Sequence, residues 1–167
     1  MDCKRILETK RLFLRELHPT DAESFYRLNL DLDVLRYTGD SPFDSVENSQ
    51  RFLENYDHYK RYGMGRWGVI RKDDGAFLGW CGLKFTEKTK EYDIGFRFFQ
   101  KYWNKGYATE AAKACLTYGL DTLQIPRIIG RAMKGNKASI RVLEKIGLTY
   151  HRDFDFEGNK GVIYGTT

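Results

Sequence analysis

The stretch FFQKYWNKGYATEAAKAC runs from Phe98 to Cys115. It changes abruptly from aromatic and basic residues, through Asn104, Lys105 and Gly106, to an alanine-rich run. The alanines predict a helix opening near Gly106. The alternating residues before it, KEYDIGFRFF from Lys90 to Phe99, predict a strand. A strand–loop–helix junction is a natural anion site. The first N–H groups of a helix lack partners and carry partial positive charge. Gly106 allows a ligand close to the backbone, Ala108 keeps the next position small, Lys105 adds charge and Thr109 adds a hydroxyl. A plain connection between strand and helix explains the same residues equally well, so the local sequence alone leaves both readings open.

The surrounding sequence suits one domain over residues 1–167. RLFLREL, Arg11 to Leu17, reads as the first strand. HPTDAESFYRLNL reads as a helix with Thr20 as N-cap and Glu23 three residues on, a capping box. SVENSQRFLENYDHYKRYG, Ser45 to Gly63, reads as one helix with Phe52, Leu53, Tyr56 and Tyr59 on one side. RWGVIRK and AFLGWCGLKF form a hairpin around Asp73–Gly75. Glycines 79, 82 and 95 in these strands mark bulges or close backbone approach. The helix from Gly106 is expected to end near Gly119, and a strand RIIGRAM follows. A last helix is capped by Asn136 and closed by Gly147, and two short strands turn around EGNK. The expected order is β-α-α-β-β-β-α-β-α-β-β, an α/β or α+β fold with a mixed sheet of about seven strands and about four helices.

Composition removes several function classes. The chain is 41% hydrophobic and 31% charged, as expected of a folded soluble protein. It has no apolar run long enough to span a membrane and no signal-peptide core at its N-terminus, so a cytoplasmic location is expected. Cys3, Cys81 and Cys115 are far apart, and His18, His58 and His151 are scattered, so no disulfide framework or metal site is expected. The net charge of +5 is spread along the chain without a basic block. That favours a local phosphate site over a nucleic-acid surface. GMGRWG, Gly63 to Gly68, matches a dinucleotide fingerprint in form, but it ends a helix and opens a strand, the reverse of the required context. No P-loop or nucleophile elbow occurs.

YWNKGYATEAA resembles the phosphate-binding loop of GNAT-type N-acetyltransferases, most closely their Rim-type, ribosomal-protein N-acetyltransferase-like branch. RLFLRELHPTDAESFYRL resembles that group's opening strand and helix, DIGFRFF its central strand, and NKASIRVLEKIGL its last helix. The likeness runs in order from about Glu8 to the C-terminus. It implies that acetyl-CoA is the co-substrate and that no metal is used. The backbone of Trp103, Asn104, Lys105, Gly106, Tyr107, Ala108 and Thr109 would hold the pyrophosphate. The strand edge at Phe96, Arg97 and Phe98 would pair with the pantetheine arm, and Asn136 would contact the coenzyme. Trp103 departs from the family's loop pattern at its first place.

For chemistry, the resemblance points to Asp93 as base, directly or through water, with Glu91 two residues earlier as backup. Asp93 can equally be a solvated strand residue or an anchor for the substrate amine. The tyrosine that many family members carry seven residues after the asparagine is Leu143 here, and Ser139 takes its place as candidate acid. Ser139 is also explained as a residue of a helix start, and water is the alternative proton source. A lysine amine, pKa about 10.4, is almost wholly charged at neutral pH, whereas a peptide α-amine, about 7.7 to 8.0, is partly neutral. A site without a strong acid–base pair therefore suits an α-amine or another amine of low pKa. In NLDLDVLRYTGDSPF the acids Asp31, Asp33 and Asp40 are candidates to attract a cationic amine, and Tyr37 and Phe43 to wall it. They are also explained as caps and surface acids. The expected partners are an acyl-CoA donor and an amine acceptor, a peptide N-terminus or small amine, with no nucleic acid or membrane and a monomer or homodimer. A non-catalytic acyl-CoA-binding module is the alternative.

Overall fold

The computed structural model describes residues 4–167. Cys3 lies outside them. Eight strands form one sheet: β1 (Arg5–Glu8), β2 (Leu12–Glu16), β3 (Arg66–Arg71), β4 (Phe77–Thr86), β5 (Glu91–Phe98), β6 (Ile128–Met133), β7 (Thr149–Phe156) and β8 (Asn159–Gly165). Their order across the sheet is β1-β2-β3-β4-β5-β6-β8-β7. Every neighbouring pair is antiparallel except β5 and β6. The mixed, largely antiparallel α/β sheet expected from the sequence is present.

Its extra strand is β1, which forms a hairpin with the strand read at Arg11–Leu17. The helices are α1 (Ala22–Leu28), α2 (Leu32–Leu35), α3 (Val46–Glu54), α4 (His58–Tyr62), α5 (Tyr107–Thr117) and α6 (Lys137–Lys145). The single helix expected over Ser45–Gly63 is thus two. Ser45 caps α3, accepting from Asn48 N–H at 3.1 Å. The break after Asn55 frees Tyr56 and Tyr59 to clamp the start of β3 from both sides. The Tyr56 hydroxyl accepts from Arg66 N–H at 2.8 Å, and the Tyr59 hydroxyl donates to the Arg66 carbonyl.

Two local expectations are corrected. The turn before α1 is capped by His18, not Thr20. The His18 ring accepts from Thr20 N–H, while the Asp21 carboxylate accepts from His18 N–H at 2.8 Å. Arg15 holds Asp21 there with two 2.8 Å bonds, and Glu23 is left to pair with Arg27. Gly119 is not a left-handed cap. It lies in a π-helical turn, Tyr118–Thr122, that continues α5, and a Cβ there would meet Ile128 Cδ1 at 2.7 Å. Gly119 is therefore small because the helix lies hard against β6.

The main core fills the face covered by α5 and α6. Ala111, Ala112 and Cys115 are fully buried, and their small size lets α5 approach the sheet closely. Cys81 and Cys115 are free thiols in this core, 3.7 Å apart. A second cluster, Ala22, Phe25 and Leu53 with Leu17, Phe43 and Trp80, seats α1 and α3 on β4. The fully buried Ser49 ties these helices together, donating to the Ala22 carbonyl at 3.0 Å. No helix of the described residues is long and apolar enough to cross a membrane.

Candidate active site

The site arises where β5 and β6 part. They pair only at Tyr92↔Ile128 and Asp93↔Ile129. Beyond that point β6 continues with β8, and β5 from Ile94 to Phe98 keeps only β4. One edge of β5 is therefore open. In an antiparallel ladder, alternate residues turn their main-chain groups toward and away from the partner. Phe99 N–H bonds back to Leu78 in β4, so Phe96 and Phe98 face the opening. Phe98 C=O already accepts from Trp103 Nε1 at 2.9 Å. That bond fastens the Trp103 ring to the end of β5 and leaves Phe96 with the free main-chain groups. Arg97 turns its main chain toward β4, and its side chain crosses to Asn29 and Asp40 on the other face.

The loop after β5 is wound by two left-handed residues, Asn104 at φ 61° and Gly106 at φ 82°. Asparagine and glycine are the residues that adopt this conformation most readily. No acceptor among the described residues takes the N–H groups of Asn104, Lys105 or Gly106. The first N–H groups of α5 follow directly. Glu110 holds the loop from behind, accepting from Thr9 Oγ1 at 2.5 Å, Arg11 N–H at 3.0 Å and Arg11 Nε at 2.7 Å. Arg11 in turn donates to the Lys105 carbonyl at 3.1 Å and lies over the Tyr107 ring. Burial pushes the Glu110 carboxyl up, but the hydrogen bonds from Thr9 and Arg11 outweigh it and hold the group below its ordinary range. Arg11 and Glu110 were not singled out as a pair in the sequence. They are 99 positions apart and meet only because the turn between β1 and β2 lies against the start of α5.

A cavity of about 860 Å³ follows this loop. Phe96, Arg97, Phe98, Trp103, Asn104, Gly106, Tyr107, Ala108, Thr109, Asn136 and Ser139 all line it. Of the coenzyme residues expected from the sequence, only Lys105 is missing from the wall. The Tyr107 side chain is buried beside Arg71, so its main chain is what reaches a ligand. The far wall holds Lys137, Arg141 and Lys145 from α6. Their spacing of four residues sets them on one helix face, and none has an ion-pair partner among the described residues. This basic row is written in the sequence as i, i+4, i+8 spacing. The unpaired N–H groups, open strand edge and basic wall fit a long polyphosphate ligand with an amide-bearing arm.

A second cavity of about 670 Å³ continues from the first, and Tyr37, Thr38, Phe96, Arg97, Asn136 and Ser139 belong to both. Asp93 lines this second chamber. It is buried, not solvated. One of its oxygens accepts from Arg66 at 2.7 Å and the other from Arg131 at 3.1 Å. Glu91 also reaches Arg131, at 2.7 Å. Asn136 caps α6 with its side-chain oxygen on Ser139 N–H at 3.2 Å. The Ser139 hydroxyl takes no part in the cap and has no hydrogen-bond partner among the described residues. Leu143 is buried beneath it against Gly130, so no tyrosine hydroxyl is available at that place. Of the acids considered for the acceptor, Asp31 caps α2, Asp33 pairs with Arg36, and Asp40 pairs with Arg97.

The chain matches the acetyltransferase (GNAT) domain family over residues 11–149. It is 35% identical to the uncharacterized protein YkkB of Bacillus subtilis (strain 168) over 159 residues, 91% of this chain and 90% of that one. The crystal structure of an acetyltransferase of the GNAT family from Bacillus anthracis superposes with a TM-score of 0.83 at 29% identity, covering 98% of both chains. Spermidine N-acetyltransferase from Vibrio cholerae, solved in complex with CoA and spermine, shares the fold with a TM-score of 0.81 at 16% identity, over 95% of this chain and 96% of that one. The chain belongs to the GNAT acetyltransferase family.

Proposed function

We propose that this chain, working as a single domain of the Rim-type branch, transfers an acetyl group from acetyl-CoA to a primary amine of low pKa, such as a peptide α-amine, by direct attack in a ternary complex. The observation that carries the reading is the parting of β5 and β6 beside a loop of unpaired N–H groups. It gives an anion site and an open strand edge in one continuous cleft. Family membership supports the acetyl donor, as does the CoA in the Vibrio cholerae relative.

Acetyl-CoA supplies the activated acetyl group. The loop from Trp103 to Thr109 holds the phosphates, and Lys137, Arg141 and Lys145 add charge from across the cleft. Phe96 offers main-chain groups to the pantetheine arm, and Asn136 stands at its inner end. Asp93 has one lone pair on each oxygen committed to a guanidinium. Those that remain orient the amine or a water that takes its proton. Ser139 presents its hydroxyl where the two chambers meet and donates to the departing sulfur.

The test is thiol release from acetyl-CoA with peptides of varied N-termini, lysine side chains blocked at the α-amine, polyamines and aminoglycosides. Acceptor-dependent release with kcat/KM higher for α-amines than for lysine side chains is the expected result. Tight coenzyme binding by calorimetry, with only background release from every acceptor, would mean a binding module instead.

A further inference from the structure

The acceptor chamber differs from what a polycation would need. Every carboxylate that lines it is already engaged by arginine. Asp93 is held between Arg66 and Arg131, and Asp40 lies 2.8 Å from Arg97. Glu91, next to Asp93, is held by Arg131 at 2.7 Å and lies 3.8 Å from Arg152. The charge left over at the wall is positive. Lys84, on β4 opposite Asp93, lines the chamber, is exposed, and makes no ion pair or hydrogen bond among the described residues. His58 adds no negative charge. Its Nε2 accepts from Phe85 N–H at 3.0 Å, and burial first, then the positive charges of Arg66 and Lys84, hold its pKa below the ordinary value.

Aromatic rings make up a large part of the remaining wall. Phe25, Phe43 and Phe52 stand with ring centroids 5.5 to 5.7 Å apart, and Phe52 is 45% exposed beside the chamber. Trp80 is gripped between Arg66 and Arg97, each 5.3 Å from its ring. A second ammonium group brought here would lose water and meet guanidinium groups without a free carboxylate to replace it. An apolar body would meet rings, and a carboxylate would meet Lys84.

Resting on the acetyl-transfer reading above, we propose that the acceptor is a primary amine on an apolar or aromatic body that is otherwise neutral or anionic, and that Lys84 selects against polycationic amines. The amine that attacks must itself be neutral, so it needs no carboxylate of its own.

Calorimetry on the CoA-loaded protein tests this without requiring turnover. The probes are phenylalanyl-glutamate, phenylalanyl-glycinamide, phenylalanyl-lysinamide and spermidine. The glutamate peptide should bind roughly threefold to fivefold more tightly than the lysine peptide, the size expected of one exposed charge pair, with spermidine weakest. Lys84→Glu should reverse the order of the two charged peptides and leave CoA affinity unchanged. Tighter binding of spermidine or of the lysine peptide, or an order that Lys84→Glu does not alter, overturns the assignment. Thiol release fastest with spermidine would also overturn it while leaving acetyl transfer standing. The expected binding order without thiol release from any amine would leave the chamber's preference for apolar, non-cationic amines standing as a binding preference and would overturn both the transferase reading and the amine's role as acceptor.

Discussion

Asp93 accepts from Arg66 at 2.7 Å across the open surface of Gly95. A Cβ at position 95 would lie 2.8 Å from the Arg66 guanidinium, so the glycine is what lets the arginine cross the strand. Arg66 also donates to the carbonyls of Gly82 and Asp93, and it thereby spans the middle of the sheet where the cleft begins.

Removing the carboxylate separates its two roles. Asp93→Ala leaves the Arg66 guanidinium without a carboxylate and Arg131 with Glu91 alone, and should cost about 2 to 3 kcal/mol, at or below the lower end for broken buried pairs because both arginines keep some exposure and Arg131 keeps a partner. Asp93→Asn keeps the shape and two polar atoms and should cost less. If Asp93 orients the proton acceptor, Asp93→Asn should still lower kcat by roughly a hundredfold. Urea melts and thiol release measured on both variants check this. A loss of stability with kcat intact would assign Asp93 to holding the arginines alone.

Much of this was legible along the chain because it is local. The left-handed loop into α5, the Asn136 cap, the hairpin around Asp73–Gly75 and the close approach at Gly82 are each written in a few adjacent residues. What escaped was non-local. The strand β1 is short and charged and becomes a strand only by pairing with β2. The break between α3 and α4 follows from two tyrosine hydroxyls reaching one residue of β3, which helical periodicity does not encode. The engagement of Asp93 depends on Arg66 and Arg131, 27 and 38 positions away, and strand alternation alone read it as exposed just as readily.

Glu110 gives a prediction about pH. Its folded pKa is depressed, so its contribution to stability is present above the ordinary glutamate range and lost as pH falls through the folded value. Glu110→Gln should therefore melt below the wild type near neutral pH. The difference should shrink as pH falls below the ordinary glutamate range and the wild-type carboxyl takes up its proton at its depressed folded value. Thermal melts of both proteins across that range measure it. A gap that stayed constant with pH would mean that packing, not the ionised clamp on Arg11, is what Glu110 provides.

Ser139 separates capping from catalysis because different atoms serve each. The cap runs from Asn136 Oδ1 to the main-chain N–H of Ser139, which any residue but proline supplies. Ser139→Ala should therefore leave the melting temperature and the affinity for CoA near wild type, since alanine favours the helix. If the hydroxyl donates to the leaving sulfur, kcat should fall by roughly tenfold to a hundredfold with little change in the acceptor's KM, as expected for a group that acts mainly in the transition state. Replacing the leaving thiol with one of lower pKa should narrow that deficit, because a better leaving group needs less protonation. An equal deficit with both thiols would show that the hydroxyl positions the substrate and that water delivers the proton.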